Sequence, residues 1–223
     1  MSDVLVLIAA SDEEGRLGST IAALGLLPGD TSILVADDAS SDRTAAVAFE
    51  AGARVITTPR HLGKGGVLEF ALSRELRDEK VILFVDADLG QSAEALGPVL
   101  AEVLEGRAQM AVAVLPAQGG GFGFVKQFAR TAIRTLGGSL VDEPLSGQRA
   151  VRAAALATAR PLAAGFGVET AMTIDILRAG FTMVEIAVPI YHRATGRDLA
   201  GFLHRGRQGW DILKAVASRV VRG

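Results

Sequence analysis

The chain has 223 residues, which is the length of one α/β domain with at most a small appendage. It contains no cysteine, so a disulfide framework, a zinc–thiolate site and a cysteine nucleophile are excluded. The formal net charge of −2 argues against a general nucleic-acid-binding protein, and no apolar run reaches the roughly 18 residues that a membrane span needs.

Two strands open the chain, and acidic residues follow each of them. Residues 4–10, ending at Ala10, are predicted to form a buried strand, and Glu13 comes shortly after it. Residues 32–36 are predicted to form a second strand that leads directly into Asp37 and Asp38. Carboxylates at such strand ends can accept hydrogen bonds from the N–H groups of uracil or guanine, and open α/β sheets bind ligands at this edge.

A glycine-rich segment follows the short third strand, which is predicted over residues 54–57. Lys64 lies among Gly63, Gly65 and Gly66, just before a helix predicted over residues 67–77. Glycines let the backbone approach a phosphate closely, and a helix N-terminus with a lysine favours an anion. The segment is not a Walker A loop, because Gly65 follows the lysine where that motif has serine or threonine.

The fourth strand is the strongest feature of the sequence. Its apolar run, residues 81–85, is typical of a strand that is buried on both faces, and it leads into Asp86, Ala87 and Asp88. Two neighbouring carboxylates are hard oxygen ligands that suit Mg²⁺ or Mn²⁺, particularly when a substrate phosphate supplies further oxygens. We therefore predict a divalent cation at this strand end.

Each of these motifs also has a purely structural explanation. The acidic residues would then cap helices or form turns, and the lysine would be exposed on a glycine-rich turn. The residues concerned are Ser11 and Glu14 as a capping box, Asp42 at a helix start, Lys64, and Ser92 as a cap after the fourth strand.

The second half continues the α/β pattern and adds further polar residues. We predict a helix over residues 93–105, a strand over 108–115, a helix over 125–136, a strand and a helix after residue 150, a helix that begins near Glu169, and a strand over 181–190. The glycine-rich residues 118–123 are either a mobile loop beside the site or a linker. The polar residues of this half include Ser146, Gln148, Arg149, Glu169, His192, Arg193 and Arg197.

The C-terminal segment is basic, whereas the rest of the chain is acidic. Seven Lys or Arg and two Asp occur from Arg193 onward, a net charge of +5, and the remainder has a net charge of −7. The apolar residues repeat with helical spacing at Leu199, Leu203, Trp210, Leu213, Ala217 and Val220. Such a helix either packs on its own domain, which we favour, or lies on an anionic membrane surface. We expect a cytoplasmic protein, with the inner face of the membrane as the place of any such contact.

Four motifs together resemble family 2 glycosyltransferases of the GT-A fold, over nearly the whole chain. Residues 9–14 resemble that family's Pro-Ala-Tyr-Asn-Glu-Glu, residues 36–42 its Val-Asp-Asp-Gly-Ser-x-Asp, residues 62–65 its Asn-x-Gly-Lys-Gly, and residues 86–88 its Asp-x-Asp. The resemblance implies a Rossmann-like, mostly parallel sheet flanked by helices. It also implies one domain over residues 1–198, with a nucleotide-sugar half (1–115) and an acceptor half (116–198), followed by the helix at 199–223.

The resemblance assigns roles to the candidate residues. Nucleotide-sugar binding falls to Ala10, Glu13, Asp37, Asp38, Lys64, Asp86 and Ala87. The cation, Mg²⁺ or Mn²⁺, falls to Asp88, Asp86 and His192, the last because a histidine after the final strand joins the metal in glucosyl- and mannosyl-3-phosphoglycerate synthases. Acceptor binding falls to Ser146, Gln148 and Arg149, which also resemble the corresponding region of polyprenyl-phosphate hexose synthases. The catalytic residues would be Asp88, Glu169, Arg193 and Arg197.

These observations predict a metal-dependent hexosyl transfer from a UDP- or GDP-hexose to an acceptor that carries a phosphate. A hydroxyl acceptor needs a general base, for which Glu143 and Glu169 are candidates, whereas a phosphate acceptor is already largely ionised. Polyprenyl phosphate is therefore the first choice of acceptor and 3-phosphoglycerate the second. The rivals are a sugar-1-phosphate nucleotidyltransferase, which would need a basic loop after the first strand, and an inactive nucleotide-sugar-binding module.

Overall fold

The computed structural model describes residues 3–116, 123–190 and 199–221, with side chains from residue 209 onward in the last segment. Within these ranges the strands are β1 (Val4–Ala10), β2 (Thr31–Asp37), β3 (Arg54–Thr57), β4 (Val81–Asp86), β5 (Met110–Val114), β6 (Arg149–Arg152) and β7 (Met183–Ala187). The α-helices are α1 (Leu17–Leu24), α2 (Thr44–Glu50), α3 (Lys64–Glu75), α4 (Gly97–Leu104), α5 (Gly123–Gly137), α6 (Ala153–Ala159), α7 (Val168–Arg178) and α8 (Leu199–Val221).

The strands form one sheet in the order β3-β2-β1-β4-β6-β5-β7. All neighbours are parallel except β6, which runs antiparallel to both β4 and β5. The reversal follows from the route of the chain: after β5, helix α5 and the next loop end at the edge where β4 also ends, so β6 enters the sheet from that edge. The predicted, mostly parallel sheet is confirmed, and β6 is its exception.

The sheet is covered on both faces, which explains why its central strands are apolar throughout. Alternate residues of β1 point to opposite layers, Val6 and Ile8 to one and Leu5 and Leu7 to the other. All four are fully buried. Because each such side chain stabilises the fold by about 1.5–3 kcal/mol, the layers hold the strand ends rigidly in register.

Three helix starts differ from the sequence-based expectation. Helix α3 begins at Lys64, three residues before the predicted start. The other two differences involve polar residues that follow a strand. Helix α1 begins only at Leu17, with Arg16 as its N-cap residue and no side-chain cap, so the alternative explanation of Ser11 and Glu14 as a capping box is wrong. The helix predicted at 93–105 begins as a 3₁₀ helix at Gly90–Leu96 and continues as α4. In both places the polar residues after the strand are engaged in loop contacts instead of caps.

Helix α8 packs on the domain, but not through the face that the sequence indicated. Ile212, Ala215 and Val216 are buried, and the helix contacts α5, α7 and a 3₁₀ turn at Gly165–Gly167. Trp210 and Leu213, on the predicted apolar face, are instead exposed by 57% and 43%. Among the described residues, no helix combines the length and the hydropathy that crossing a bilayer would require.

Candidate active site

The carboxyl ends of β1, β2, β3 and β4 meet at one edge of the sheet. In the strand register Ala10 lies beside Asp37, Asp37 beside Thr57, and Ala9 beside Asp86. The predicted donor-site residues Ala10, Asp37 and Asp86 are therefore brought together, as parallel strands require.

The loops that follow β1 and β2 are bonded to each other. Ser41 N donates to Asp12 Oδ1 at 2.8 Å, and Glu13 N donates to Thr44 Oγ1 at 2.8 Å. Glu14 accepts from Arg43 N at 2.9 Å. Glu13 is half-buried on this loop, so the two loops form one wall that presents it at the edge of the sheet.

Asp42 belongs to the same wall and lies at the N-terminus of α2, as the structural explanation of this residue proposed. Its Oδ1 accepts from Thr44 N at 2.8 Å, at the first residue of α2. The hydrogen bond from the Thr44 hydroxyl, more than any other contact, holds the pKa of Asp42 below its ordinary value. Asp42 therefore stabilises the wall in its charged form.

Asp37 and Asp38 are buried and bonded to their own chain. Asp37 accepts from Ser40 N at 3.3 Å. Asp38 accepts from Leu62 N and Gly63 N, both at 2.7 Å, and its Oδ2 lies 3.0 Å from His61 Nδ1. Asp38 thus holds the turn that precedes α3, and the predicted roles of both residues toward base and ribose remain proposals.

Lys64, the first residue of α3, lies between two carboxylates. Its Nζ is 2.6 Å from Asp86 Oδ1 and 2.7 Å from Glu169 Oε1. The Lys64 and Glu169 side chains are only 19% and 8% exposed. Burial by itself would lower the pKa of Lys64, but the charges of Asp86 and Glu169 outweigh burial and hold that pKa above its ordinary value. Lys64 is therefore a permanent cation in this cluster.

The loop before β6 closes the cluster from the other side. Gln148 is fully buried and its Nε2 donates to Asp86 Oδ2 at 2.7 Å. A Cβ on Gly147 would lie 2.5 Å from Lys64 Nζ and 2.7 Å from Asp86 Oδ2, so only glycine fits against this ion pair. Gly147 was not among the predicted site residues, and its place between Ser146 and Gln148 was the available signal in the sequence.

Arg149 is buried to 1% exposure beneath the cluster. Its guanidinium donates to Glu169 O at 3.0 Å, to Thr173 Oγ1 at 3.2 Å and to Ser146 O. Burial lowers the pKa of Arg149, while the charges of Glu169 and Asp86 oppose that shift. Because the guanidinium N–H groups of Arg149 donate to groups of the same chain, Arg149 positions Ser146 and Glu169. Its predicted direct contact with an acceptor stays a prediction.

Asp88 follows β4 in a turn that is tied to α1. Thr20 donates to Ala87 O at 2.8 Å and accepts from Gly90 N at 2.8 Å, while Arg16 Nη1 donates to Asp88 O at 3.2 Å. These bonds fix the backbone on both sides of Asp88, whose side chain is half-buried. The positioning role of Thr20 had no signal in the sequence.

The donor set at the end of β4 fits a divalent cation. Asp88 offers a hard carboxylate at the edge of the sheet. The two oxygens of Asp86 are already bonded to Lys64 and Gln148, so metal binding there would compete with both. In the part of the chain that the structure describes, no three acidic or histidine side chains cluster as a ready metal site. His192, Arg193 and Arg197 lie outside the described residues.

Comparison with known proteins shows the family of the chain. The family model for glycosyl transferase family 2 matches residues 5–152. The chain belongs to this family of glycosyltransferases. No curated protein matches the chain.

Solved structures of one enzyme extend the likeness beyond the matched residues. They are crystal structures of glucosyl-3-phosphoglycerate synthase from Mycobacterium tuberculosis. The complex with Mn²⁺, UDP and glucosyl-3-phosphoglycerate is 26% identical at a TM-score of 0.76, covering 98% of this chain and 80% of the other. The complex with phosphoglyceric acid is 27% identical at a TM-score of 0.78, covering 98% of this chain and 80% of the other. The complex with Mn²⁺ and UDP-glucose is 26% identical at a TM-score of 0.75, covering 98% of this chain and 79% of the other. The predicted family and the GT-A-like fold are confirmed.

Proposed function

We propose that this glycosyltransferase moves glucose from UDP-glucose to a small acceptor that carries a phosphate, of the 3-phosphoglycerate type. The observation that carries the proposal is a likeness over 98% of the chain to an enzyme crystallised with Mn²⁺, UDP-glucose and phosphoglyceric acid. The same enzyme was crystallised with glycerol 3-phosphate. The comparisons therefore favour the second choice of the sequence analysis over polyprenyl phosphate.

Transfer breaks the bond from the anomeric carbon to the donor's diphosphate, forms one to the oxygen of an acceptor hydroxyl, and passes the hydroxyl proton to the departing diphosphate. Lys64 supplies a fixed positive charge at the edge of the sheet where the donor would bind, and Asp86, Glu169 and Gln148 hold it there. A bound Mn²⁺ or Mg²⁺, held by Asp88, would stabilise the negative charge that develops on the leaving diphosphate. The chain thus contributes orientation and electrostatic stabilisation.

Both candidate general bases are ion-paired with a lysine. Glu169 pairs with Lys64, and Glu143 Oε2 lies 2.5 Å from Lys126 Nζ. To accept a proton from the acceptor, either carboxylate would have to give up its lysine partner. We infer that Glu169 serves to position Lys64 and that Glu143 holds Lys126 near the acceptor half of the site.

A transfer assay tests the acceptor class. The purified chain is incubated with radiolabelled UDP-glucose, Mn²⁺ and, separately, 3-phosphoglycerate, glycerol 3-phosphate or polyprenyl phosphate. We expect label in a water-soluble phosphorylated product with 3-phosphoglycerate. Label in a lipid extract alone would overturn this acceptor. Calorimetric binding of UDP-glucose without turnover of any acceptor would favour an inactive binding module.

A thermal-shift panel of UDP-, GDP- and ADP-glucose with Mn²⁺ tests the donor base. A ligand at 100 times its Kd stabilises the folded state by about 2.7 kcal/mol, which for a chain of this size is a rise of about 5–10 °C in Tm. We expect this rise with UDP-glucose. An equal or larger rise with GDP-glucose would reject uracil as the preferred base.

The outward face of α8 supports a further proposal of contact with an anionic membrane surface. Trp210, Leu213 and Val220 are exposed there, and Lys214 Nζ lies 5.4 Å from the centroid of the Trp210 ring. Trp210 is the only tryptophan in the chain, so its emission reports this face directly. We expect a blue shift with phosphatidylserine vesicles and none with phosphatidylcholine vesicles. No shift with either would reject the contact.

A further inference from the structure

Helix α8 rests directly on the turn that precedes α7. Phe166 N donates to Asp211 Oδ2 at 3.3 Å. A Cβ on Gly165 would lie 2.1 Å from Asp211 Oδ2, and a Cβ on Gly167 would lie 2.5 Å from Ala215 Cβ. The Gly165–Gly167 turn therefore has no space between itself and α8.

The opposite side of this turn faces the start of α3. A Cβ on Gly63 would lie 3.7 Å from Gly165 Cα, and a Cβ on Gly65 would overlap the carbonyl oxygen of Ala163 at 1.8 Å. Between these two glycines lies Lys64. Asp211, the turn and the first residues of α3 thus form three layers in direct contact.

The same turn also leads into the helix that carries the partner of Lys64. Helix α7 begins at Val168, immediately after the turn, and Glu169 is in its first helical turn. Glu169 Oε1 and Lys64 Nζ are 2.7 Å apart. A shift of the Gly165–Gly167 turn would therefore move both ends of this ion pair, one through α7 and the other through α3.

A second anchor of α8 lies away from the turn. Arg219 Nη2 and Nε donate to Asp175 Oδ2 at 2.7 and 3.0 Å, and Arg178 Nη1 donates to Arg219 O at 2.7 Å. Asp175 and Arg178 belong to the middle and the end of α7. Asp211 and Arg219 both fasten α8 to the domain. They differ in their partners, because only Asp211 contacts the Gly165–Gly167 turn.

We propose that Asp211 is a positioning residue: it holds the Gly165–Gly167 turn in the place that brings Glu169 onto Lys64. The C-terminal helix is then part of the structure that builds the active site. The effect on the reaction rests on the function proposed above. Loss of Asp211 would displace Lys64 and so lower the transfer rate, although Asp211 itself does not contact the substrate.

The acylation rate of Lys64 tests the proposal independently of the reaction. Trace acetic anhydride and mass spectrometry give the labelling of Lys64 relative to that of Lys80, which is exposed in the same molecule. We expect Asp211→Ala to raise Lys64 labelling at least about threefold through local opening, and kcat to fall about 10- to 100-fold. Asp211→Asn keeps an acceptor for Phe166 N and should restore both values to within about twofold of the unmodified chain.

Two further variants keep the test decisive. Asp211→Glu extends the carboxylate into the contact with Gly165 and should raise Lys64 labelling as Asp211→Ala does. It replaces Asp211→Ala in the test if that variant does not fold. Arg219→Gln removes the second anchor and should lower Tm while Lys64 labelling stays unchanged. Unchanged labelling in Asp211→Ala and Asp211→Glu, or an equal rise in Arg219→Gln, would overturn the proposal. A chain without any transfer activity would refute the proposed function and leave the labelling result valid.

Discussion

Replacing Lys64 with Met should destabilise the fold through the two carboxylates left behind. Asp86 and Glu169 lie 2.6 and 2.7 Å from the ammonium. Their oxygens are therefore at most about 5.3 Å apart, the sum of the two distances, and their repulsion is at least about 3 kcal/mol at an effective dielectric constant of about 20. Because Asp86 keeps 25% of its side-chain surface exposed, we expect the free energy of unfolding to fall by about 2–4 kcal/mol at pH 8.

The deficit should depend on pH in a defined direction. In the Lys64→Met chain one carboxylate of the folded state retains a proton more readily than in the unfolded state, so its stability rises as the pH falls. At pH 5 we expect the deficit to shrink by at least about 1 kcal/mol. The unmodified chain behaves differently: the raised pKa of Lys64 contributes stability that is complete below about 10.5 and is lost as the pH rises above that value.

Urea unfolding at pH 8 and pH 5 measures both effects. Lys80→Met is the matched control, because the pair of Lys80 with Asp3 is exposed on both sides and should change nothing measurable. Adding Glu169→Gln to Lys64→Met should recover part of the loss, since one buried charge is removed. A deficit below about 1 kcal/mol, or one that is equal at the two pH values, would refute the electrostatic account of the cluster.

Three further substitutions test other parts of the site. Gly147→Ala should reduce the transfer rate at least about tenfold, because its Cβ would force Lys64 from Asp86. Gly15→Ala is the control: the space around Gly15 is open, so the rate should stay unchanged. Equal rates in the two variants would contradict the close approach of Gly147 to the Lys64–Asp86 pair. Asp88→Ala should lower the Mn²⁺-dependent transfer rate at least about 100-fold, and an unaffected rate in the same assay would remove Asp88 from the metal site. Arg149→Lys keeps the charge but not the fork, so urea unfolding should show a loss of about 2–4 kcal/mol, and a loss below about 1 kcal/mol would show that the fork is dispensable.

The four motifs of the first half could be located from the sequence because parallel strands have a simple geometry. Carboxyl ends of parallel strands meet at one edge, so Asp37 and Asp86 had to lie at the same edge once the strands were recognised, and in the structure they flank the end of β1. What the side chains bond to could not be predicted in the same way. The Asp86 carboxylate faces Lys64 and Gln148, residues that are 22 and 62 positions away, and only packing decides such a contact.

The tail shows the limit of periodicity as a guide. Residues 210, 213, 217 and 220 follow helical spacing, yet the neighbouring stripe with Ile212, Ala215 and Val216 is the one that packs. Both stripes are apolar, so the sequence cannot distinguish them. The choice is made by Asp211 and Arg219, whose partners on the Gly165–Gly167 turn and on α7 fix the rotation of the helix.

By itself, the sequence determined the layered α/β fold, its family and the edge of the sheet where the chemistry lies, because local periodicity and short motifs encode strands and their ends. The tertiary structure alone decided that β6 runs against its neighbours. That reversal brings Gly147, Gln148 and Arg149 to the end of β4, beside Asp86. It also decided that Lys64 is shared between Asp86 and Glu169, since a buried ammonium finds its partners through the packing of α3, β4 and α7 and not through their order in the chain.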